Sequence, residues 1–297
     1  ILGGTSKFNS MAGSMGALGG DVSVIATNPA GIGVFIASDV NTTLSTYNNK
    51  NTSSLAGRSV DFKTKNTDLG QAGGVAVFEV NGNTPWKFVN IGVNFTSTSL
   101  ENYVETPGNS NISYDITDTK YATLNGHAYD RFGDLSKMSI AVGGNYDNRI
   151  YVGAGVNIHS SSISQYDTAS MTFKSSEAGF SEYNELFSKQ YTPYAEDGSG
   201  FSANVGVIAK IDNQFRLGAS LETPTWWTID RVYDYYDIDG NDGRYTESRK
   251  FRSPFKGTVS AAYVPNKSFA LNVDYTLGLS KPQYSSGRLC FSYESFW

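Results

Sequence analysis

Hydrophobic and polar positions alternate with a period of two through most of the chain. In 88–96, Val89, Ile91, Val93 and Phe95 occupy one register, while Asn90, Gly92, Asn94 and Thr96 occupy the other. Successive side chains of a strand point to opposite faces, so this segment predicts a strand with one apolar face and one small, polar face. The pattern returns in 138–147, with Met138, Ile140 and Val142 against Ser139, Ala141 and Gly143. It returns again in 150–159, with Ile150, Val152, Val156 and Ile158 against Tyr151, Gly153, Asn157 and His159. Segments 201–210, 215–222 and 268–275 continue it. Ten strands follow, near 34–47, 70–80, 86–98, 137–147, 149–162, 199–211, 214–226, 251–264, 267–279 and 287–297.

The connections alternate in length. Asp147-Asn148, Asp212-Asn213 and Pro265-Asn266 read as two-residue turns, and 81–85 as a slightly longer one. Between them, 48–68, 99–136, 163–198 and 238–250 are polar and read as long loops. Short turns at one end and long loops at the other are the pattern of an outer-membrane barrel. Alternation by itself would serve a soluble sandwich or propeller equally well. The loop rhythm selects an all-β fold, an antiparallel transmembrane β-barrel. Trp86, Trp226, Trp227, Tyr233, Tyr235 and Tyr236, near strand ends, suit an interfacial aromatic girdle.

Composition narrows the function classes. The 297 residues include 31 Gly, 19 Tyr and 17 Phe, and only 17% are charged, which suits strands and turns better than helices. A net charge of −5 leaves no basic footprint for nucleic acid and no polybasic segment for an anionic leaflet. The single cysteine, Cys290, excludes an internal disulfide framework. No apolar run approaches the roughly 20 residues of a membrane helix. The mean hydropathy of −0.32 does not argue against a membrane location, because alternating strands average to near neutrality. The chain opens at Ile1 without a charged leader, as expected where a signal peptide has been removed.

The N-terminal segment differs from the rest. Gly3-Gly4-Thr5, the run Met11 to Asp21 with Gly13, Gly16, Gly19 and Gly20, and Asn28-Pro29-Ala30-Gly31 are rich in small residues. Glycines and alanines let backbone pack closely, and Pro29 biases Asn28 away from helix. The glycine spacing matches neither a dinucleotide fold nor a phosphate loop, and no strand precedes it. These motifs resemble the start of the FadL/TodX outer-membrane transport family, in the form typical of Bacteroidetes. The resemblance spans about thirty residues. It implies that 1–33 is a hatch inside a barrel formed by 34–297, with Gly19, Gly20, Asp21, Asn28, Pro29, Ala30 and Gly31 as hatch and gating residues. It also implies fourteen strands, so the ten legible here leave the barrel incomplete at the C-terminus. A kink in the third strand, 86–98, would be the lateral exit.

Catalytic chemistry is sparse. His127 and His159 are the only histidines, and neither has a metal-spaced or triad-like partner in sequence. Asp237-Ile238-Asp239-Gly240-Asn241 begins like a calcium loop, but Asp242 replaces the turn glycine and Ser248 the final glutamate. No catalytic residue, cofactor or metal is therefore expected. Segment 177–188 reads as a short amphipathic helix in the third loop, with Phe180, Tyr183, Leu186 and Phe187 lining a hydrophobic groove. The expected protein is a monomeric channel of the bacterial outer membrane. It would sit in lipid or detergent and admit a hydrophobic small-molecule ligand such as a long-chain fatty acid or an aromatic hydrocarbon. Asn28 would be the pivotal polar residue. The alternatives are a non-transporting outer-membrane adhesin or secretion-machine scaffold, and a soluble β-rich binding domain.

Overall fold

The structure is a computed structural model that describes residues 3–55, 57–190, 195–235, 243–266, 268–285 and 290–291. Helix α1 (Ser6–Ser10) and two short 3-10 helices, Val22–Ala26 and Pro29–Val34, form the N-terminal segment. All further regular structure is antiparallel β-sheet: β1 (Asp39–Leu55), β2 (Arg58–Glu79), β3 (Trp86–Asp115), β4 (Lys120–Tyr146), β5 (Ile150–Ser175), β6 (Tyr183–Gln190), β7 (Ala195–Lys210), β8 (Phe215–Glu222), β9 (Trp226–Tyr235), β10 (Gly243–Arg252), β11 (Lys256–Asn266), β12 (Phe269–Gly278), β13 (Gln283–Ser285) and β14 (Cys290–Phe291).

The ladder order is β1-β2-β3-β4-β5-β7-β8-β11-β12. The remaining strands prolong these paths at one end. Strand β6 runs with β7 along β5, β9 follows β8 along β7, and β10 leads into β11 and pairs with β9, β13 and β14. Nine strand paths result, forming a curled sheet. Among the described residues no ladder joins β1 to β12, and these two are its edges.

The alternation read from the sequence becomes two unlike faces. Val89, Ile91, Val93 and Phe95 are 37–44% exposed on one side, whereas Asn90 and Asn94 are at most 1% exposed on the other. The exposed apolar face continues through Met138, Val142, Val152, Ile158, Val205, Leu217, Leu271 and Val273. The opposite face is concave and covered by the N-terminal segment, whose Val22, Ile25 and Ile32 pack with Val75 and Ala141. Burial is therefore inverted relative to a soluble sandwich: the large side chains are open and the small polar ones are enclosed.

Several expectations need correction. The stretches 48–68, 99–136 and 163–198 are not long loops; most of their residues continue the flanking strands as tall hairpins, paired for example from Leu55↔Arg58 and from Asp115↔Tyr121 downward. Likewise 243–250 is strand. Both faces of these hairpins are mostly polar, so their composition resembles loop although each strand has a partner whose ladder takes up backbone groups on that side. Segment 177–188 is not a helix: Tyr183 onward is β6, paired with β5 from Phe173↔Tyr183. The first strand begins at Asp39 rather than 34, because Pro29–Val34 is a 3-10 helix. Of the expected terminal strand 287–297, only 290–291 is described, opposite Tyr245 and Thr246.

Of the expected two-residue turns, one is found as such, Asp147-Asn148; Asp212 and Asn213 fall within the four-residue connection 211–214, and Pro265 and Asn266 are the last residues of β11, with Asn266 paired to Phe269. Asp147 and Asn148 both have positive φ, as a two-residue hairpin between β4 and β5 requires. Two interruptions mark the wall. Gly70 bulges from β2, and the β2–β3 ladder ends at Gln71↔Thr96, although β3 stays paired to β4 without a break from Phe88 to Pro107. The second crosses three neighbouring paths at Pro224, Pro254 and Pro282, which separate β8 from β9, β10 from β11 and β12 from β13. Proline cannot donate to a ladder. Hydroxyls take over part of the pairing: Thr225 N donates to Ser253 Oγ at 2.7 Å, Phe255 N to Ser280 Oγ at 2.8 Å, and Ala203 N to Thr223 Oγ1 at 2.9 Å.

Candidate functional site

The N-terminal segment has almost no regular ladder, so its backbone groups must find partners elsewhere. Within the segment, Asp21 and Asn28 cap the two 3-10 helices. Asp21 Oδ1 accepts from Ser23 N at 2.9 Å, while its Oδ2 accepts from Thr5 Oγ1 at 2.6 Å. Thr5 N in turn donates to Ser23 Oγ at 2.8 Å, closing a buried knot. Gly19 and Gly20 have φ of +65° and +70°, and Gly20 N donates to Gly31 O at 3.0 Å. A side chain at Gly19 would also meet Val34 at 2.7 Å, so glycine is required there on two grounds.

Asn28 links the segment to the sheet. It is 1% exposed, and its Oδ1 accepts from Ala30 N at 3.1 Å. Its Nδ2 donates to Gly16 O at 2.7 Å and to Val207 O on β7 at 3.3 Å. Pro29 sits at the first position of its helix, where no amide donor is needed. Ala30 and Gly31 are buried, Ala30 packing with Tyr151 and Ile208 of the wall. The seven residues singled out from the sequence thus form one connected structure, with Asn28 the member that hydrogen-bonds to the wall.

The wall's contribution could not be assigned from the sequence. Asn90 Nδ2 donates to Ile32 O at 2.7 Å and Phe35 O at 2.9 Å, and Asn204 Nδ2 to Ile25 O at 2.7 Å. Arg216 Nη1 donates to Leu18 O at 2.7 Å, and Asp274 Oδ2 accepts from Gly16 N at 3.1 Å. Inward side chains from β3 to β12 therefore satisfy carbonyls and amides of an irregular backbone. Glycines make room for it. Gly143, Gly153 and Gly206 stand directly opposite one another across β4, β5 and β7. A Cβ there would fall 2.6 Å from Ile32, 2.4 Å from Pro29 and 2.0 Å from Asn28 Oδ1 respectively. The available signal was a glycine at an inward register, where strands otherwise avoid it.

Of the four residues expected to line a groove, Phe180 and Tyr183 come together and Leu186 does not join them. Tyr183 stacks on Phe173 at 5.0 Å and lies 6.0 Å from Phe180, over which Lys120 Nζ stands at 5.9 Å. Leu186 is 66% exposed and, three residues from Tyr183 in a strand, points to the other face. The Phe187 side chain lies outside the described residues, as do 237–242 of the calcium-like segment. His127, unaccompanied in sequence, meets Asp167 through the β4–β5 register, Nε2 to Oδ1. Among the described residues there is no group of three or more His, Cys, Asp or Glu that could hold a metal ion. In comparisons with protein-family models and with characterised proteins, the sequence matches none.

Proposed function

We propose that this chain forms the wall and internal hatch of an outer-membrane β-barrel that passes hydrophobic small molecules passively. The observation that carries the reading is the sidedness of the sheet. Large aliphatic and aromatic side chains cover the convex face, and a small-residue segment is seated on the polar concave face. A face that exposes so many large apolar side chains is one that soluble monomers rarely carry. Irregular backbone persists at membrane depth only where protein satisfies its polar groups, which the side-chain amides of Asn90, Asn204 and Asn28 do for carbonyls of the segment.

Dimensions agree with this reading. From Trp86 to Phe95 a strand spans about 30 Å at roughly 3.3 Å per residue. A tilt near 40° would reduce that to close to the ~25 Å of a barrel's apolar band. Aromatic pairs mark both ends: Trp86 with Tyr146 and Phe215 with Tyr263 at one, Phe201 with Trp226 at the other. The hatch would release by shifting off β7 once Asn28 loses Val207, and the proline-interrupted paths offer the wall's weakest pairing. In liposome uptake of a hydrophobic fluorophore, Asn28→Ala and deletion of residues 1–33 should each change the rate. Unchanged uptake in both would remove the gating role.

One observation favours a second reading, a non-transporting scaffold subunit. The inner wall above the hatch is polar, with Ser139 donating to Asn157 at 2.6 Å and Asn157 to Ser202 at 3.3 Å. Co-purification of a stoichiometric protein partner, with no uptake by the reconstituted chain, would select it.

A further inference from the structure

The inner wall just above the N-terminal segment carries cationic charge that is only partly neutralised. The registers place Thr96, Lys137, His159, Gly200 and Trp227 side by side in one row across β3, β4, β5, β7 and β9. All five share the inward register of the buried Asn94, Ser139, Asn157 and Ser202, so what remains open of Lys137, His159 and Trp227 opens to the interior. Gly200 shapes the row. A Cβ there would fall 2.8 Å from the Trp227 ring, so its absence lets the indole lie against the wall, 5.5 Å from the His159 ring. His159 Nε2 is held 3.1 Å from Ser202 Oγ.

The charges do not balance. Lys137 Nζ has no hydrogen-bond or ion-pair partner among the described residues, and the charged groups acting on it are Glu222 and Lys256. Lys256 Nζ stands 3.5 Å from Glu222 Oε2, at the long end of an ion pair. His159 feels both lysines. Two ammonium groups thus share one carboxylate in a partly enclosed space, where an incompletely paired charge is costly and an anionic guest would relieve it. Beside them the face of Trp227 and the imidazole of His159 present a flat surface suited to a planar body.

We propose that this row is a binding site for a small organic monoanion with a flat body, its carboxylate drawn by Lys137 and Lys256 and its ring set against Trp227. The site rests on the reading of the concave face as the lining of a barrel interior. It does not require that the anion be transported.

The test is equilibrium binding of 1-naphthoate to the purified protein in detergent micelles, followed by calorimetry and tryptophan fluorescence, with uncharged naphthalene as the comparison. Saturable naphthoate binding is expected, with naphthalene at least about tenfold weaker, the scale of one charged hydrogen bond. Lys137→Gln should weaken naphthoate about tenfold and Lys137→Arg should retain it. Trp227→Phe should remove most of the fluorescence response. Equal affinity for naphthalene and naphthoate, or equal loss in the Gln and Arg variants, would overturn the site. Because binding is read without uptake, a failed hatch experiment leaves this result standing, and the converse also holds.

Discussion

The two halves of β3 adopt the same backbone conformation for different reasons. Its lower half, Phe88–Thr96, presents Val, Ile and Phe outward and buries Asn90 against the N-terminal segment and Asn94 beside Gln71. Its upper half, paired with β4 as far as Asp115↔Tyr121, has polar residues on both faces and no core beneath it. There the hairpins are held by the ladder and by cross-strand pairs. Asn51 Nδ2 donates to Tyr103 O at 2.7 Å, Phe62 packs on Tyr103 at 4.0 Å, and Lys50 pairs with Asp61 at 2.7 Å. Such pairs contribute some tenths of a kcal/mol each. A period-two pattern therefore marks where a strand has one dry face, not where a strand ends.

The most disruptive way to probe this contrast is a charge on the outer face. Ile91→Arg should destabilise the folded protein in lipid by about 2–4 kcal/mol if the lower face meets hydrocarbon, whereas Tyr114→Arg in the upper hairpin should change it by less than about 0.5 kcal/mol. Urea titration of liposome-folded protein measures both, and equal effects would erase the distinction. Next is the inner face. Gly153→Val places a side chain into the Pro29 carbonyl and should cost about 1–3 kcal/mol, with protease cleavage appearing within residues 3–37 before the strands are cut.

Asn28→Ala should follow at about 1–2 kcal/mol, from a lost helix cap and two lost donations, with the same cleavage as readout. Intact resistance to protease would show that the segment is held by shape alone. The smallest effect belongs to the β7–β8 turn, where Asp212 Oδ1 accepts from Gln214 N and Phe215 N, both at 2.7 Å. These amides hold the carboxyl below its usual range. Its contribution is thus complete above the ordinary carboxylate pKa and is lost as pH falls through the lowered one. Asp212→Asn should reduce the thermal midpoint by at most a few degrees at pH 7, and the difference from the parent should vanish in strong acid.

Much of the lower wall was legible because burial writes a two-residue period into Val89–Thr96, Met138–Asn145 and Ile150–His159. The turn at Asp147-Asn148 was legible because few residues other than Gly, Asn and Asp accept its positive φ. The tall hairpins were not, since two wet faces leave no periodicity to read. Tyr183 and Leu186 parted for a related reason: a spacing of three places residues together on a helix but on opposite sides of a strand, and β5 supplied the partner that decided for strand.

By itself the sequence determined the all-β character, the polarity of each face, and the small-residue segment that contains Asp21 and Asn28. These follow from local rules of strand alternation and of glycine and proline conformation. Tertiary structure alone decided which glycines and asparagines of the wall receive that segment. Gly143, Gly153 and Gly206 align, and Lys137, His159 and Trp227 share a row, only through registers between strands distant in sequence. A register is set by pairing energy summed along whole strands, which no single residue carries.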